Sequence, residues 1–177
     1  KFTERVLEMT GRALKHLAIW GTGTDNIDRS AAGMRGVTIC NTPGINAFAV
    51  AEHALTLMLT VARRVVTLDA EMRKGRWPRE MLTQCLGKTL GVFGMGAIGA
   101  RLAVIARGIG MNVLGWSALG EEARIRKTGA KPASKEEILA TADVVSLHVP
   151  LDLSTHNLIG EKELAMMKKT AILINTC

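Results

Sequence analysis

Six residues in the middle of the chain, Gly94-Met95-Gly96-Ala97-Ile98-Gly99, have the types and spacing to hold phosphate. A G-x-G-x-x-G run removes side chains at three places: where a backbone turns tightly, where it meets an anion and where a helix packs closely. Alone the pattern is weak, because glycines recur in ordinary turns. Its flanks strengthen it, since residues 90–93 read as a short apolar strand and residues 100–103 as helix. In that setting Gly94 permits the turn, Gly96 admits a pyrophosphate to the backbone, and Gly99 lets helix and strand approach. Amide groups and partial positive charge at the helix start attract the phosphates. The chemistry indicated is the binding of a dinucleotide.

The second half of such a site is a carboxylate about twenty residues on, at the end of the next strand, where it holds the adenosine ribose hydroxyls. Here that strand runs into Trp116-Ser117, with no Asp or Glu at its end. Ser117 can hydrogen-bond a ribose hydroxyl but does not repel a 2′-phosphate as a carboxylate would. Arg124, Arg126 and Lys127 follow and either assist a phosphate or face solvent. The choice between NAD and NADP is therefore open on these residues, with NAD the expected cofactor and NADP possible. His53, His148 and His156 have no carboxylate at a spacing that would orient them for proton transfer, so they read as structural. Cys40, Cys85 and Cys177 are odd in number and lack metal-ligand spacing, so no metal is expected and reduced thiols are.

The elements that position these residues follow from periodicity. Residues 1–15 read as a helix and 17–20 as a strand. Gly21 to Asn26 form a turn, Asp28 caps a helix, and residues 37–40 form a second strand. Asn41-Thr42-Pro43-Gly44 breaks regular structure, and Asn46 caps a long helix over 47–74 whose apolar residues lie on more than one side. Beyond a polar loop around Gly75-Arg76-Trp77-Pro78, strands at 89–93, 112–115, 144–147 and 172–174 alternate with helices at 97–108, 121–128, 135–140 and 162–167. The strands are unbroken apolar runs, as when helices cover both faces of a sheet. The fold class is α/β, a doubly wound parallel sheet of the Rossmann type.

Composition agrees with one buried core and part of a second unit in 177 residues. The formal charge of +7 is spread in short pairs such as Arg63-Arg64 and Lys168-Lys169. No basic stripe accompanies it, so a nucleic-acid partner is not expected. Residues 47–62, the most apolar stretch, are interrupted by Glu52 and His53 and are too short to span a bilayer. The chain opens into an amphipathic helix rather than an apolar leader. A soluble, cytoplasmic protein with no membrane partner is expected.

Five segments together resemble the D-isomer-specific 2-hydroxyacid dehydrogenases, in that family's order and over nearly the whole chain. They are Gly21-Thr22-Gly23-Thr24-Asp25-Asn26-Ile27-Asp28; Asn41-Thr42-Pro43-Gly44 leading to Ala51-Glu52-His53; Gly87-Lys88-Thr89-Leu90-Gly91 with the glycine turn; Asp143 through His148-Val149-Pro150 to Thr155; and Met167-Lys168 to Ile174-Asn175-Thr176. The resemblance implies an oxidoreductase passing hydride between a nicotinamide and C2 of a D-2-hydroxy or 2-oxo acid. It assigns residues 1–45 to the end of the substrate-binding domain and the hinge, and residues 46–177 to the dinucleotide-binding domain. It implies that Thr22, Gly23 and Thr24 offer amide groups to the substrate carboxylate. Ala97 and Ile98 would meet the pyrophosphate, Ser117 the adenosine ribose, and Val149-Pro150 the adenine side. Thr22, Thr155, Thr176 and Cys177 match positions lining the dinucleotide site. A homodimer through the 47–74 helix is implied as well, in keeping with its many-sided apolar pattern.

In that family an Arg, a Glu and a His carry the chemistry, and all three are expected beyond Cys177. No catalytic residue is assigned within these 177 residues, and by themselves they are expected to turn over negligibly. The alternative reading is a dinucleotide-binding module without catalysis, as in the related corepressors.

Overall fold

The computed structural model describes all residues, Lys1–Cys177. They form two compact units, Lys1–Asn46 and Ala47–Cys177.

In the first unit, α1 (Glu4–Met9) and α2 (Arg29–Met34) accompany two parallel strands, β1 (His16–Ile19) and β2 (Thr38–Asn41). Leu7, Ala31, Ala32 and Val37 make a small core. The Asp28 carboxylate accepts the Ala31 amide proton at 2.9 Å and so caps α2, as its place before the helix predicts. The helix expected over residues 1–15 is shorter. It stops where the Thr10 hydroxyl donates to the Leu7 carbonyl at 2.7 Å and Gly11 takes φ +59°.

The second unit holds a parallel five-stranded sheet of β3 (Thr89–Phe93), β4 (Asn112–Trp116), β5 (Lys131–Pro132), β6 (Val144–Leu147) and β7 (Ile172–Asn175), ordered β5-β4-β3-β6-β7. Both faces are covered, as a parallel sheet requires. Leu90, Val92, Val144 and Ile174 pack against residues of α3 (Ala47–Ala62) and α5 (Ala97–Gly108). On the opposite face Phe93 and Val145 meet Ile138, Leu139 and Ala142 at α7 (Lys135–Thr141). The helices α6 (Glu122–Lys127) and α8 (Glu161–Met166) complete the crossovers. Asp143, just before β6, accepts the Thr89 amide at 2.9 Å and the Lys168 ammonium at 3.0 Å. Burial alone would raise its pKa, but those two donors and the charge of Lys88 outweigh it and lower it.

The expected 47–74 helix is two helices, α3 and α4 (Val65–Arg73). The Ala62 carbonyl accepts the amide of Thr83 from the returning chain, and Arg64 turns left-handed at φ 50°. The greasy sides also part company, since α3 buries Ala51, Ala54 and Met58 while α4 buries none of its residues. The two-residue strand β5, with a proline at its end, carries no apolar run from which to expect it. No helix is long and apolar enough to cross a membrane.

Candidate functional site

The sheet order reverses direction between β3 and β6, and crevices for ligands form at the carboxyl ends of strands flanking such a point. The glycine turn sits there. Gly94 follows β3 at φ +92°, and a Cβ on it would lie 2.5 Å from the His148 carbonyl oxygen. Its amide donates to the Trp116 carbonyl at 2.9 Å, while the His148 amide donates to Phe93 at 2.7 Å, which laces the ends of β4, β3 and β6 together. Gly99, in the first turn of α5, is packed just as closely, since its Cβ would fall 2.0 Å from the Gly94 carbonyl oxygen.

Gly96 is different. It is the N-cap of α5, no side chain caps the helix, and a Cβ placed there would meet nothing within 4 Å. The first amide groups of a helix have no partner within it. Exposed Ala97 and half-buried Ile98 thus begin a 12-residue helix whose first amide groups have no partner in the protein, next to a glycine with open space at its Cβ position. That cradle suits a diphosphate. The residues present fit a dinucleotide on this observation.

Ser117 lies half-buried directly after β4. Its oxygen accepts the Leu119 amide at 3.3 Å, so its own proton remains to be donated to a ribose hydroxyl. The next carboxylates, Glu121 and Glu122, pair with Arg124 at 3.2 Å and Arg126 at 3.1 Å. Two of the three downstream cations are therefore already matched.

At the other side of the crevice, His148 and Thr176 stand one residue beyond β6 and β7, whose last paired residues are Leu147 and Asn175. The His148 ring shares a hydrogen bond of 2.8 Å with Ser146, and burial pushes its pKa down to about 4. It is neutral near pH 7. Its Nδ1 and the Thr176 hydroxyl are buried without a partner. Two such orphans at neighbouring strand ends are consistent with a polar ligand at this edge. The Cys177 thiol donates to the Leu147 carbonyl at 3.0 Å. Val149 is half-buried and Pro150 exposed. Thr155 is buried and uses its hydroxyl inside its own loop, donating to Pro150 and accepting from the Asp152 amide at 2.9 Å. His53 and His156 are exposed.

In the first unit Thr22, Gly23 and Thr24 form an open turn after β1, and none of their amide groups donates within the protein. The turn is held from below by the second conspicuous segment. The Asn41 side chain donates to the Thr22 carbonyl at 2.8 Å, the Gly21 amide to the Thr42 hydroxyl at 2.9 Å, and the Gly44 amide to the Thr22 hydroxyl at 3.2 Å. Sequence reasoning singles out both segments without joining them. It also misses the Ser146–His148 pair, although an i, i+2 spacing, with Ser146 on β6 and His148 extending the chain one residue past it, puts both side chains on one face.

Comparison with known proteins gives a consistent result. Residues 55–177 match the family model described as D-isomer specific 2-hydroxyacid dehydrogenase, NAD binding domain. A glyoxylate reductase of Thermococcus litoralis is 44% identical over 172 residues, covering 92% of this chain and 52% of that protein. A D-3-phosphoglycerate dehydrogenase of Archaeoglobus fulgidus is 37% identical, covering 96% of this chain and 31% of that protein. Among solved structures, the D-lactate dehydrogenase of Aquifex aeolicus complexed with NAD and lactic acid superposes with a TM-score of 0.90 at 32% identity. That match covers all of this chain and 54% of the other. The chain thus spans about half the length, or less, of the curated relatives it matches.

Proposed function

This chain belongs to the D-isomer specific 2-hydroxyacid dehydrogenase family, with its NAD-binding domain in residues 55–177, and from that premise we propose that the protein interconverts a small 2-oxo acid and the corresponding D-2-hydroxy acid. The observation that carries the proposal is the open, uncapped start of α5 beside Gly96, at the switch point of a parallel sheet. When bound, the nicotinamide supplies the hydride exchanged with C2 of the acid. The chain's own part is to bind and orient. Gly96, Ala97 and Ile98 present backbone to the diphosphate, with Gly94 and Gly99 setting the turn, and Ser117 donates to the adenosine ribose. Val149 and Pro150 border the adenine side. Thr155 holds the loop that follows, and Thr176 and Cys177 lie at the end of β7 that the resemblance assigns to the dinucleotide. In Lys1–Asn46, the free amide groups of Thr22, Gly23 and Thr24 form an acceptor for the substrate carboxylate, and this unit belongs to the substrate-binding part.

The test is calorimetric titration of the full-length protein with NADH and NADPH, followed by turnover with glyoxylate and hydroxypyruvate. NADH binding with turnover supports the proposal. Binding without turnover of any 2-oxo acid leaves a dinucleotide-binding module, and no binding removes both. The neutral end of β4 adds a sharper expectation. Ser117→Asp should keep NADH affinity and weaken NADPH by about tenfold or more, because a carboxylate there repels the 2′-phosphate. Equal effects on both cofactors would mean that the adenosine ribose lies elsewhere.

The protein also associates as a homodimer through residues 47–74 in this proposal. Val61, Val65, Val66 and Met72 leave large apolar surface exposed along α3 and α4, more than isolated surface hydrophobics would. Sedimentation equilibrium should give twice the chain mass. A monomer at micromolar concentration would refute the association.

A further inference from the structure

The diphosphate of a dinucleotide carries two negative charges, and the first turn of α5 offers no cationic side chain to meet them. The next cation on the helix is Arg101, one turn in. It is half-buried, and its guanidinium carbon sits 3.8 Å from the centre of the Phe48 ring on α3. No carboxylate pairs with it. Arg107, the other cation on α5, is by contrast engaged with the Thr128 carbonyl at 3.3 Å near the far end.

Two geometrical facts bring the Arg101 head toward the glycine turn. Side chains on a helix lean toward its N-terminus, so Arg101 covers the turn that begins at Ala97 rather than its own. The direction of α3 agrees. Its last residue, Ala62, accepts the amide of Thr83, which precedes β3, so this end lies by the amino edge of the sheet. Its first turn, with Phe48, therefore lies toward the carboxyl edge, where α5 begins. A ring face attracts and orients a guanidinium without neutralising it. The planar group keeps its edge donors for an oxyanion.

We infer that Arg101, held by Phe48, is a cofactor-binding residue that donates to the dinucleotide diphosphate and supplies the charge the glycine turn lacks. This rests on the cofactor reading above. An arginine–phosphate contact is a charged hydrogen bond, and its loss is expected to weaken NADH binding by about tenfold or more.

The experiment compares wild type, Arg101→Gln, Arg101→Lys and Phe48→Ala in the full-length protein by NADH calorimetry at about 0.1 M and about 1 M salt. Thermal midpoints without cofactor are measured alongside. The expected result is a loss in Arg101→Gln of about tenfold at low salt that narrows at high salt, with the midpoint unchanged. Arg101→Lys should recover part of the affinity, and Phe48→Ala should show a smaller loss of the same salt-sensitive kind. If Arg101→Gln binds NADH like wild type, the inference fails while the cofactor reading stands. It fails equally if that variant loses affinity only together with thermal stability, since the pair would then be a staple between helices. A wild-type protein that takes up no NADH sinks the cofactor reading and this inference together.

Discussion

Gly96→Asp is expected to leave the protein as stable as wild type, or slightly more so, and to abolish NADH binding. The two effects have opposite signs because one position serves two purposes. As the N-cap of α5, Gly96 leaves the first amide groups uncapped, and its φ of −71° and ψ of −161° are open to any residue. A carboxylate there accepts those amide protons and sits at the positive end of the helix dipole, which together contribute a few tenths to about 1 kcal/mol. Nothing within 4 Å stands in the way of its Cβ. The same carboxylate occupies the space that the diphosphate needs and repels it. A loss of at least about a hundredfold in NADH affinity is expected, near 2.7 kcal/mol. Calorimetry and urea unfolding on one preparation check both halves. If stability and affinity fall together, Gly96 is a packing glycine and the open space beside it is not the phosphate seat.

What could be read in advance divides along a physical line. The strands β3, β4, β6 and β7 were legible because each is a short unbroken apolar run, and such runs are local. β3 and β6 are buried on both faces, as such a run predicts, while β7 leaves Leu173 exposed. The Asp28 cap and the turn after Phe93 were legible for the same reason, as each is decided by residues a few positions apart. The break between α3 and α4 was not. The helical spacing continues through Arg63 and Arg64, and what ends α3 is the amide of Thr83 taking the Ala62 carbonyl, a partner some twenty residues away. The two-residue β5 escapes for a related reason, since it owes its pairing to Leu114 and Gly115 on β4 rather than to its own residues.

The candidate site divides in the same way. A spacing rule finds the three glycines of the turn but assigns each its duty only by analogy. The structure separates them by what surrounds each one: the His148 backbone at Gly94, open space at Gly96, and the Gly94 carbonyl at Gly99. Ser117 was visible as a departure from a carboxylate. The pairing of Glu121 with Arg124 and of Glu122 with Arg126 is equally local, at i, i+3 and i, i+4, so it could have been read from spacing although sequence reasoning missed it. The Arg101–Phe48 contact joins residues more than fifty positions apart, and no local pattern announces it.

Gly99→Ala, in contrast to the change at Gly96, is expected to cost about 3 kcal/mol or more of stability and to lose cofactor binding as a consequence. The added methyl would lie 2.0 Å from the Gly94 carbonyl oxygen and 3.0 Å from a Val92 methyl. The first obstacle is backbone, and it cannot step aside: the Gly94 amide is bonded to Trp116 at 2.9 Å, and on its other side Gly94 is pressed against His148. To make room, α5 must move off β3, which opens the packing of Leu102, Ala103 and Ala106 beneath it, all of them buried. The double variant Gly99→Ala/Val92→Ala separates the two obstacles. It removes the side-chain contact and leaves the carbonyl, so it should recover little of the urea midpoint. Full recovery would assign the closeness of α5 and β3 to the valine methyl. A single variant with the wild-type midpoint would mean that the helix can stand away from the turn, and then the cradle at Gly96 is not held rigidly by its neighbours.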